Sequence, residues 1–253
     1  MQTVLITGGC SGIGAGIAKG LAQKGFRVIA TDLNPQAVSS MTAELQALQA
    51  DSRAMVMNVT SSQDVDNAVL ALQDTPVDIL INNAGIQHVS PLADFPMDKW
   101  DQLIQVMLVG VARVTQAFLP AMQARNFGRI INIGSIHAVI ASPYKSAYIA
   151  AKHGLLGFSK TMALEFASQD ITINTVCPAY VKTPLVEGQI ADQAKRHGIS
   201  EQEVIDKIML EPMPKKAFIT IEELLGTCEF LISPAARNIT AQTMILDGGW
   251  TAR

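Results

Sequence analysis

Seven short runs of β-branched and apolar residues punctuate the chain, and no other feature restricts its fold as much. They are Val4–Thr7, Arg27–Thr31, Arg53–Met57, Asp78–Asn82, Arg129–Gly134, Ile171–Cys177 and Thr243–Leu246. Between them lie longer stretches whose apolar residues recur at helical spacing. Strand–helix alternation of this kind predicts βαβ units and a parallel sheet. Several runs are almost wholly apolar, as in Arg129-Ile130-Ile131-Asn132-Ile133, which suits strands covered on both faces. No internal repeat, low-complexity tract or Pro/Gly/Ser linker divides the 253 residues. The expectation is an α/β fold: a single domain with a doubly wound parallel sheet of about seven strands.

Residues 184–218 break the alternation. They carry mixed charge, Gly188, Gly198, Pro212 and Pro214, and no strand signal. One or two helices outside the sheet are expected there. The segment follows the run that ends at Cys177, and ligands of open α/β sheets bind beyond the carboxyl ends of strands. A helical lid over a substrate is therefore expected, with a plain surface hairpin as the alternative.

Composition narrows the function. With 49% hydrophobic and 16% charged residues, wholesale disorder is excluded. A net charge of −3 without a basic block gives nucleic-acid binding no support. No run of 18 apolar residues predicts a membrane span. The start, Met1-Gln2-Thr3-Val4-Leu5-Ile6-Thr7-Gly8, enters a strand without the zones of a secretory signal, so a cytoplasmic location is expected. Cys10, Cys177 and Cys228 form no CxxC pair, and His88, His137, His153 and His197 show no ligand spacing. Free thiols and no metal site are expected.

Two constellations carry chemistry. Thr7-Gly8-Gly9-Cys10-Ser11-Gly12-Ile13-Gly14 lies between the first strand and a helix expected over Ile13–Lys24. Glycines permit a tight turn and close approach to a pyrophosphate, and the helix N-terminus offers free N–H groups. Gly8, Ser11, Gly12, Ile13 and Gly14 are the candidate cofactor contacts. Asp32 ends the second run, where a carboxylate can accept bonds from ribose hydroxyls and would repel the 2′-phosphate of NADP. Leu33 and Asn34 follow, with no cation to receive that phosphate, so NAD is expected. The second constellation is Ser135 with Tyr148 and Lys152. The latter pair stands at i and i+4 on a helix expected from Ser146. An ammonium near a phenol lowers its pKa, and such a phenol can act as general base or acid. Ser135 can hydrogen-bond the same substrate oxygen, while a nicotinamide exchanges the hydride.

These residues resemble a known family. TGGCSGIG, Asn82-Asn83-Ala84-Gly85, Ser135 and Tyr148-x-x-x-Lys152 look like the motifs of the short-chain dehydrogenase/reductase family, in its order and at its spacing. Within that family the likeness runs to bacterial D-3-hydroxybutyrate dehydrogenases. It is carried by Asn82 to His88, Ser135-Ile136-His137-Ala138, Lys145 to Tyr148, Thr183-Pro184-Leu185-Val186-Glu187 and the ending Asp247 to Arg253. The resemblance implies a Rossmann-like fold, oxidation of (R)-3-hydroxybutyrate to acetoacetate, and a homotetramer. It implies further cofactor contacts from Asn58, Val59, Asn82, Ala84, Gly85, Tyr148, Lys152, Pro178, Val181 and Thr183, with Lys152 on the nicotinamide ribose. Read alone, His137 shares the side of Ser135 if the strand stays extended, and Lys145 lies three before Tyr148. By resemblance, Gln87, His137, Lys145 and Gln189 hold the substrate carboxylate beside Ser135 and Tyr148, and Trp250 closes the pocket.

Three positions depart from the family pattern. Met107 stands where an asparagine helps to hold a relay water, and a thioether accepts hydrogen bonds only weakly. Proton relay is then left to backbone and water, or is impaired. Asn58 replaces an aspartate beside the adenine. Tyr180 stands where 3-hydroxybutyrate dehydrogenases have Trp, which opens the reading to a related 3-hydroxy acid. A dehydrogenase for another small secondary alcohol or ketone, and an NAD-binding sensor without turnover, are the alternatives.

Overall fold

The structure is a computed structural model and describes residues 1–252, except for the side chain of Leu185. Arg253, the last residue of the ending quoted above, lies outside the described residues.

Seven strands form one sheet: β1 (Thr3–Thr7), β2 (Arg27–Asp32), β3 (Arg53–Val56), β4 (Ile79–Asn82), β5 (Gly128–Ile133), β6 (Ile171–Pro178) and β7 (Thr243–Leu246). Their order is β3-β2-β1-β4-β5-β6-β7, and every pairing is parallel. The chain winds outward from β1 to β3, returns to β4, and winds the other way to β7. Helices α1 (Gly12–Gln23), α2 (Pro35–Leu48) and α3 (Ser62–Ala71) make the early crossovers. Next come α4 (Met97–Ile104), α5 (Gly110–Ala124) and α6 (Ser146–Glu165). The expected doubly wound sheet is present, with each apolar run within a residue or so of its strand.

The apolar character of the central runs has its reason in the two layers. Val4 and Ile6 of β1 join a cluster with Ile17 and Leu21 of α1, while Leu5 points into a second cluster with Val114 and Phe118 of α5. Alternate residues of one strand thus meet opposite layers, and both must be apolar.

One buried polar file crosses this core. Asn82 Nδ2 donates to Asn132 Oδ1 at 2.8 Å, and Asn132 Nδ2 to Ser159 Oγ at 2.9 Å. Thr175 Oγ1 donates to Ser159 Oγ at 2.9 Å, and Ser159 in turn to Leu155 O at 2.7 Å. It couples β4, β5 and β6 to α6, the helix that carries Tyr148 and Lys152.

Helices α4 and α5 are continuous through a π turn, Gln105–Val109, closed by the Gly110 N–H on Gln105 O. The joined helix, Met97–Ala124, is the one helix among the described residues long and apolar enough to span a membrane by length and composition. Its apolar residues Val111, Val114, Phe118 and Met122 are buried in this fold.

The expected helices outside the sheet occupy 184–209, and 210–218 are irregular. They are α7 (Pro184–His197) and α8 (Glu201–Val204), the latter extended by a π turn over Ile205–Met209. Thr183 caps α7 with its hydroxyl on the Val186 N–H, and Gly198 ends it in the left-handed region at φ 64°. Ile190, Val204 and Met209 form a small core of their own. The last helix, α9 (Ile221–Ile232), packs on α1.

Candidate active site

A cleft of about 810 Å³ opens above the carboxyl ends of β1, β2, β4 and β5. Its floor is the glycine-rich turn. Gly8 and Gly12 have φ of +60° and +52°, a region in which side chains are strained. A Cβ on Gly14 would collide with Gly8 O and Asn83 Nδ2. Asn83 Nδ2 donates to Thr7 O and Gly8 O, and Thr7 Oγ1 accepts the N–H groups of Asn83 and Ala84. The turn is thereby held on the Asn82-Asn83-Ala84-Gly85 segment after β4, which explains why these two motifs occur in one chain.

Gly8, Ser11, Gly12, Ile13, Asp32, Asn58, Val59, Ala84, Gly85, Tyr148, Lys152 and Thr183 all line the cleft. Asp32 Oδ1 accepts the Leu33 N–H at 2.8 Å, and Oδ2 the Cys10 N–H at 3.3 Å. Backbone donors thus hold a carboxylate at the cleft wall without a cation. A dinucleotide fits these residues: its pyrophosphate would lie on a turn whose Gly8 and Gly12 keep positive φ, with the α1 N-terminus beside it.

Four expected cofactor residues, Gly14, Asn82, Pro178 and Val181, are not among those that line the cleft. Gly14 shapes the turn from behind. Asn82 is buried in the polar file described above, where its Nδ2 donates to Asn132 Oδ1 and Thr115 Oγ1. Pro178 and Val181 line a second, smaller pocket instead. Asn58 lines the cleft, but its amide oxygen already accepts from Thr60 N and Oγ1 at 3.0 and 2.8 Å, a local turn that the substitution pattern alone did not disclose.

The smaller pocket, about 120 Å³, adjoins the cleft at Tyr148. Gln87, Ser135, His137, Lys145, Tyr148 and Gln189 all line it, and Gln189 comes from α7. Trp250 stands behind the lining. It stacks on Tyr180 at 6.0 Å between ring centroids and meets His137 edge-on at 6.3 Å. Lys145 Nζ lies 5.9 Å from the Tyr180 ring centroid. His137 does lie beside Ser135, with Nδ1 3.4 Å from Ser135 Oγ, but not by way of the extended strand that was expected to place it there. Strand β5 ends at Ile133, and a 3₁₀ turn over Ile136–Ala138 carries His137 round, with its N–H on Ser135 Oγ at 3.1 Å.

Burial governs the charges here. Desolvation lowers Lys152 to about 8 and lowers Lys145 as well. Desolvation also raises the Tyr148 phenol, against a smaller lowering by its hydrogen bond to Ser135. The simple expectation that Lys152 lowers the tyrosine is thus overridden in the protein alone: Nζ lies 5.7 Å from the ring centroid and donates to Ile133 O at 2.7 Å. His137 is lowered to about 4, by burial first and then by Lys145 and His153.

Sequence reasoning missed Ile86, Gln102 and Gln105 at the cleft and Ile136 and Val186 at the pocket. No residue-type signal marks them, because they contribute apolar or amide wall. Met107 was singled out as a departure. It is buried in the π turn, lines the cleft, and belongs to an apolar cluster with Phe95, Leu103, Ala147 and Ala151, against which Tyr148 packs.

Known proteins share this layout. The family model for short chain dehydrogenases matches residues 2–194. A D-beta-hydroxybutyrate dehydrogenase of Rhizobium meliloti is 41% identical, over all of this chain and 99% of its own. One of Cupriavidus necator is 38% identical, over all of this chain and 98% of its own. A 3-oxoacyl-[acyl-carrier-protein] reductase of Synechocystis is 33% identical over 98% of this chain and 96% of its own. Among solved structures, a variant actinorhodin polyketide ketoreductase with NADPH superposes with a TM-score of 0.93, at 31% identity, over all of this chain and 98% of its own. With its motifs, its sheet and its full-length relatives in agreement, the chain belongs to the short-chain dehydrogenase family, whose members are oxidoreductases that use nicotinamide cofactors.

Proposed function

We propose that the chain oxidises (R)-3-hydroxybutyrate to acetoacetate with NAD, and runs the reverse reaction. The observation that carries this reading is the 120 Å³ pocket, in which Lys145, His137, Gln87 and Gln189 surround a space that ends on Ser135 and Tyr148. An ammonium with amide and imidazole donors suits a carboxylate, and the space suits a short acid rather than an acyl chain. Asp32 favours NAD, because its carboxylate accepts from ribose hydroxyls and repels a 2′-phosphate.

In the proposed mechanism Lys145 and the two glutamines hold the carboxylate, which orients the hydroxyl toward Tyr148. Ser135 Oγ hydrogen-bonds the reacting oxygen. Tyr148 takes its proton on oxidation and returns it on reduction. Lys152 holds the ribose of the dinucleotide and, when protonated, stabilises the phenolate. When bound, the nicotinamide supplies the hydride acceptor. Gly8, Ser11, Gly12, Ile13, Asn58, Val59, Ala84, Gly85 and Thr183 form the walls that hold the dinucleotide. Residues 184–218 act as a lid that brings Gln189 onto the substrate and excludes water. The enzyme works as a cytoplasmic homotetramer, the assembly that the family resemblance implies.

The test is NADH formation with (R)-3-hydroxybutyrate, with the (S) isomer and NADP as controls. (R)-specific, NAD-dependent activity that falls by about 10²-fold or more in Tyr148→Phe is expected. Equal rates with both isomers, or a preference for NADP, would overturn the assignment.

A further inference from the structure

A short 3-hydroxy acid needs few hydrogen-bond partners, and the small pocket holds one more than such an acid uses. The reacting oxygen takes Ser135 and Tyr148. The carboxylate takes Lys145, with Gln87 and Gln189 beside it. Gln87 Oε1 accepts the His88 N–H at 3.1 Å, which leaves its Nε2 as the donor for a substrate. His137 is engaged within the protein, with Nδ1 3.4 Å from Ser135 Oγ and Nε2 2.8 Å from Ser142 Oγ. Tyr180, which also lines the pocket, is left over.

The body of Tyr180 is fixed, and its hydroxyl is uncommitted. Its carbonyl accepts the Ile219 N–H at 2.9 Å, and its ring stacks on Trp250 with 26° between the planes. No side chain or backbone group among the described residues hydrogen-bonds the hydroxyl. Its oxygen is not among the enclosed polar atoms that lack a partner, so it borders open space. Burial pushes the phenol up, which makes that space the pocket rather than bulk solvent. Water can satisfy a hydroxyl in an empty pocket. Once an acid displaces the water, the hydroxyl needs a partner on the acid or is left at a cost.

We propose that the pocket selects 3-hydroxy acids that carry a hydroxyl on C4, with 3,4-dihydroxybutyrate the smallest of them, and that Tyr180 is the residue that selects. The inference deepens the proposed function and rests on it. The C3 carbon carries four groups. Its hydroxyl goes to Ser135 and Tyr148, its hydrogen faces the dinucleotide cleft, and its carboxylate arm goes to Lys145. C4 takes the direction that remains, toward Tyr180 and the apolar Ile136, Pro178, Ala179 and Val186. Thr183 is the other polar side chain of that wall, and its Oγ1 already accepts the Val186 N–H at 3.4 Å. A methyl at C4 offers the Tyr180 hydroxyl nothing, whereas a hydroxyl there offers both a donor and an acceptor. The reaction is otherwise the same. The C3–H bond breaks and its electron pair goes with the hydride to the nicotinamide of NAD. The O–H proton goes to Tyr148, a C=O bond forms at C3, and 4-hydroxy-3-oxobutyrate leaves. The enantiomer that matches (R)-3-hydroxybutyrate in space is (S)-3,4-dihydroxybutyrate, because the C4 oxygen changes the naming priority.

The test compares kcat/KM for (S)-3,4-dihydroxybutyrate and (R)-3-hydroxybutyrate with NAD. The wild type is expected to favour the dihydroxy acid by about tenfold or more. Tyr180→Phe keeps the ring on Trp250 and removes one oxygen, and it is expected to lose most of that ratio. Calorimetric binding of the two acids to the enzyme–NADH complex makes the same comparison without turnover, and the ratio of Kd values is expected to collapse likewise in Tyr180→Phe. A wild type that prefers (R)-3-hydroxybutyrate would overturn the selection while the proposed function stands. So would a Tyr180→Phe enzyme weakened equally on both acids, which would make Tyr180 a partner of the carboxylate. Turnover of the dihydroxy acid alone would support the selection and strike 3-hydroxybutyrate as substrate. An enzyme that oxidises neither acid would overturn both readings.

Discussion

Among the described residues Lys145 is the one ammonium lining the small pocket, and it is held there at the cost of desolvation. A charge-assisted hydrogen bond to a carboxylate contributes about 2 kcal/mol. Lys145→Ala is therefore expected to raise KM for 3-hydroxybutyrate by about 30-fold with little change in kcat, since the bond is the same in ground and transition states. An unchanged KM in steady-state assays would favour a substrate without a carboxylate. Asp32 is read in the same way from the cofactor end. Like charges brought together cost several kcal/mol, so Asp32→Ser is expected to lower the preference for NAD over NADP by roughly a hundredfold. The ratio of kcat/KM for the two cofactors measures it.

At the scale of elements, α6 is the part whose placement matters most. Its first turns carry Tyr148 and Lys152, and its later turns are fastened to the sheet by Ser159. In Ser159→Ala, Asn132 Nδ2 and Thr175 Oγ1 both lose a buried acceptor. A loss of about 2–4 kcal/mol is expected in urea unfolding. A fall of kcat is expected alongside it, because the helix that presents Tyr148 loses its registration to β5 and β6. The glycine-rich turn is the second such element. Gly14→Ala pushes a methyl against backbone at Gly8 and is expected to cost about 1–3 kcal/mol and to weaken dinucleotide binding in calorimetry. Both elements were readable in outline. The turn lay in its glycines and the helix in the spacing of Tyr148 and Lys152. The fastening of α6 through Asn82, Asn132, Ser159 and Thr175 was not, because lone polar residues in apolar runs do not say which partners they will meet.

For the molecule as a whole, the buried ring of His137 links folding to pH. In the unfolded chain it titrates near its ordinary 6.5, and in the folded one near 4. Above about 6.5 both states hold it neutral and it adds no pH dependence. As pH falls from 6.5 to 4 the unfolded chain takes up a proton that the folded one refuses, so stability drops. The loss reaches about 3 kcal/mol once both states are protonated. His137→Asn is expected to flatten this part of the stability–pH curve in urea unfolding at pH 7 and 4.5; parallel curves would show that His137 is not the group responsible.

Sheet, winding and the two chemical constellations follow from patterns that neighbouring residues enforce on one another. An apolar run must be a covered strand, a glycine cluster must be a turn, and an i, i+4 pair must share a helix face. Those local constraints already point to the family and to Ser135, Tyr148 and Lys152. What required the folded chain was distance between parts remote in sequence. Asn82 and Gly14 sit behind the cleft lining, and Pro178 and Val181 line the smaller pocket that adjoins it. His137 reached Ser142 round a 3₁₀ turn instead of along a strand. Such placements depend on how layers pack and where burial strips water from a charge, and a linear pattern does not contain either.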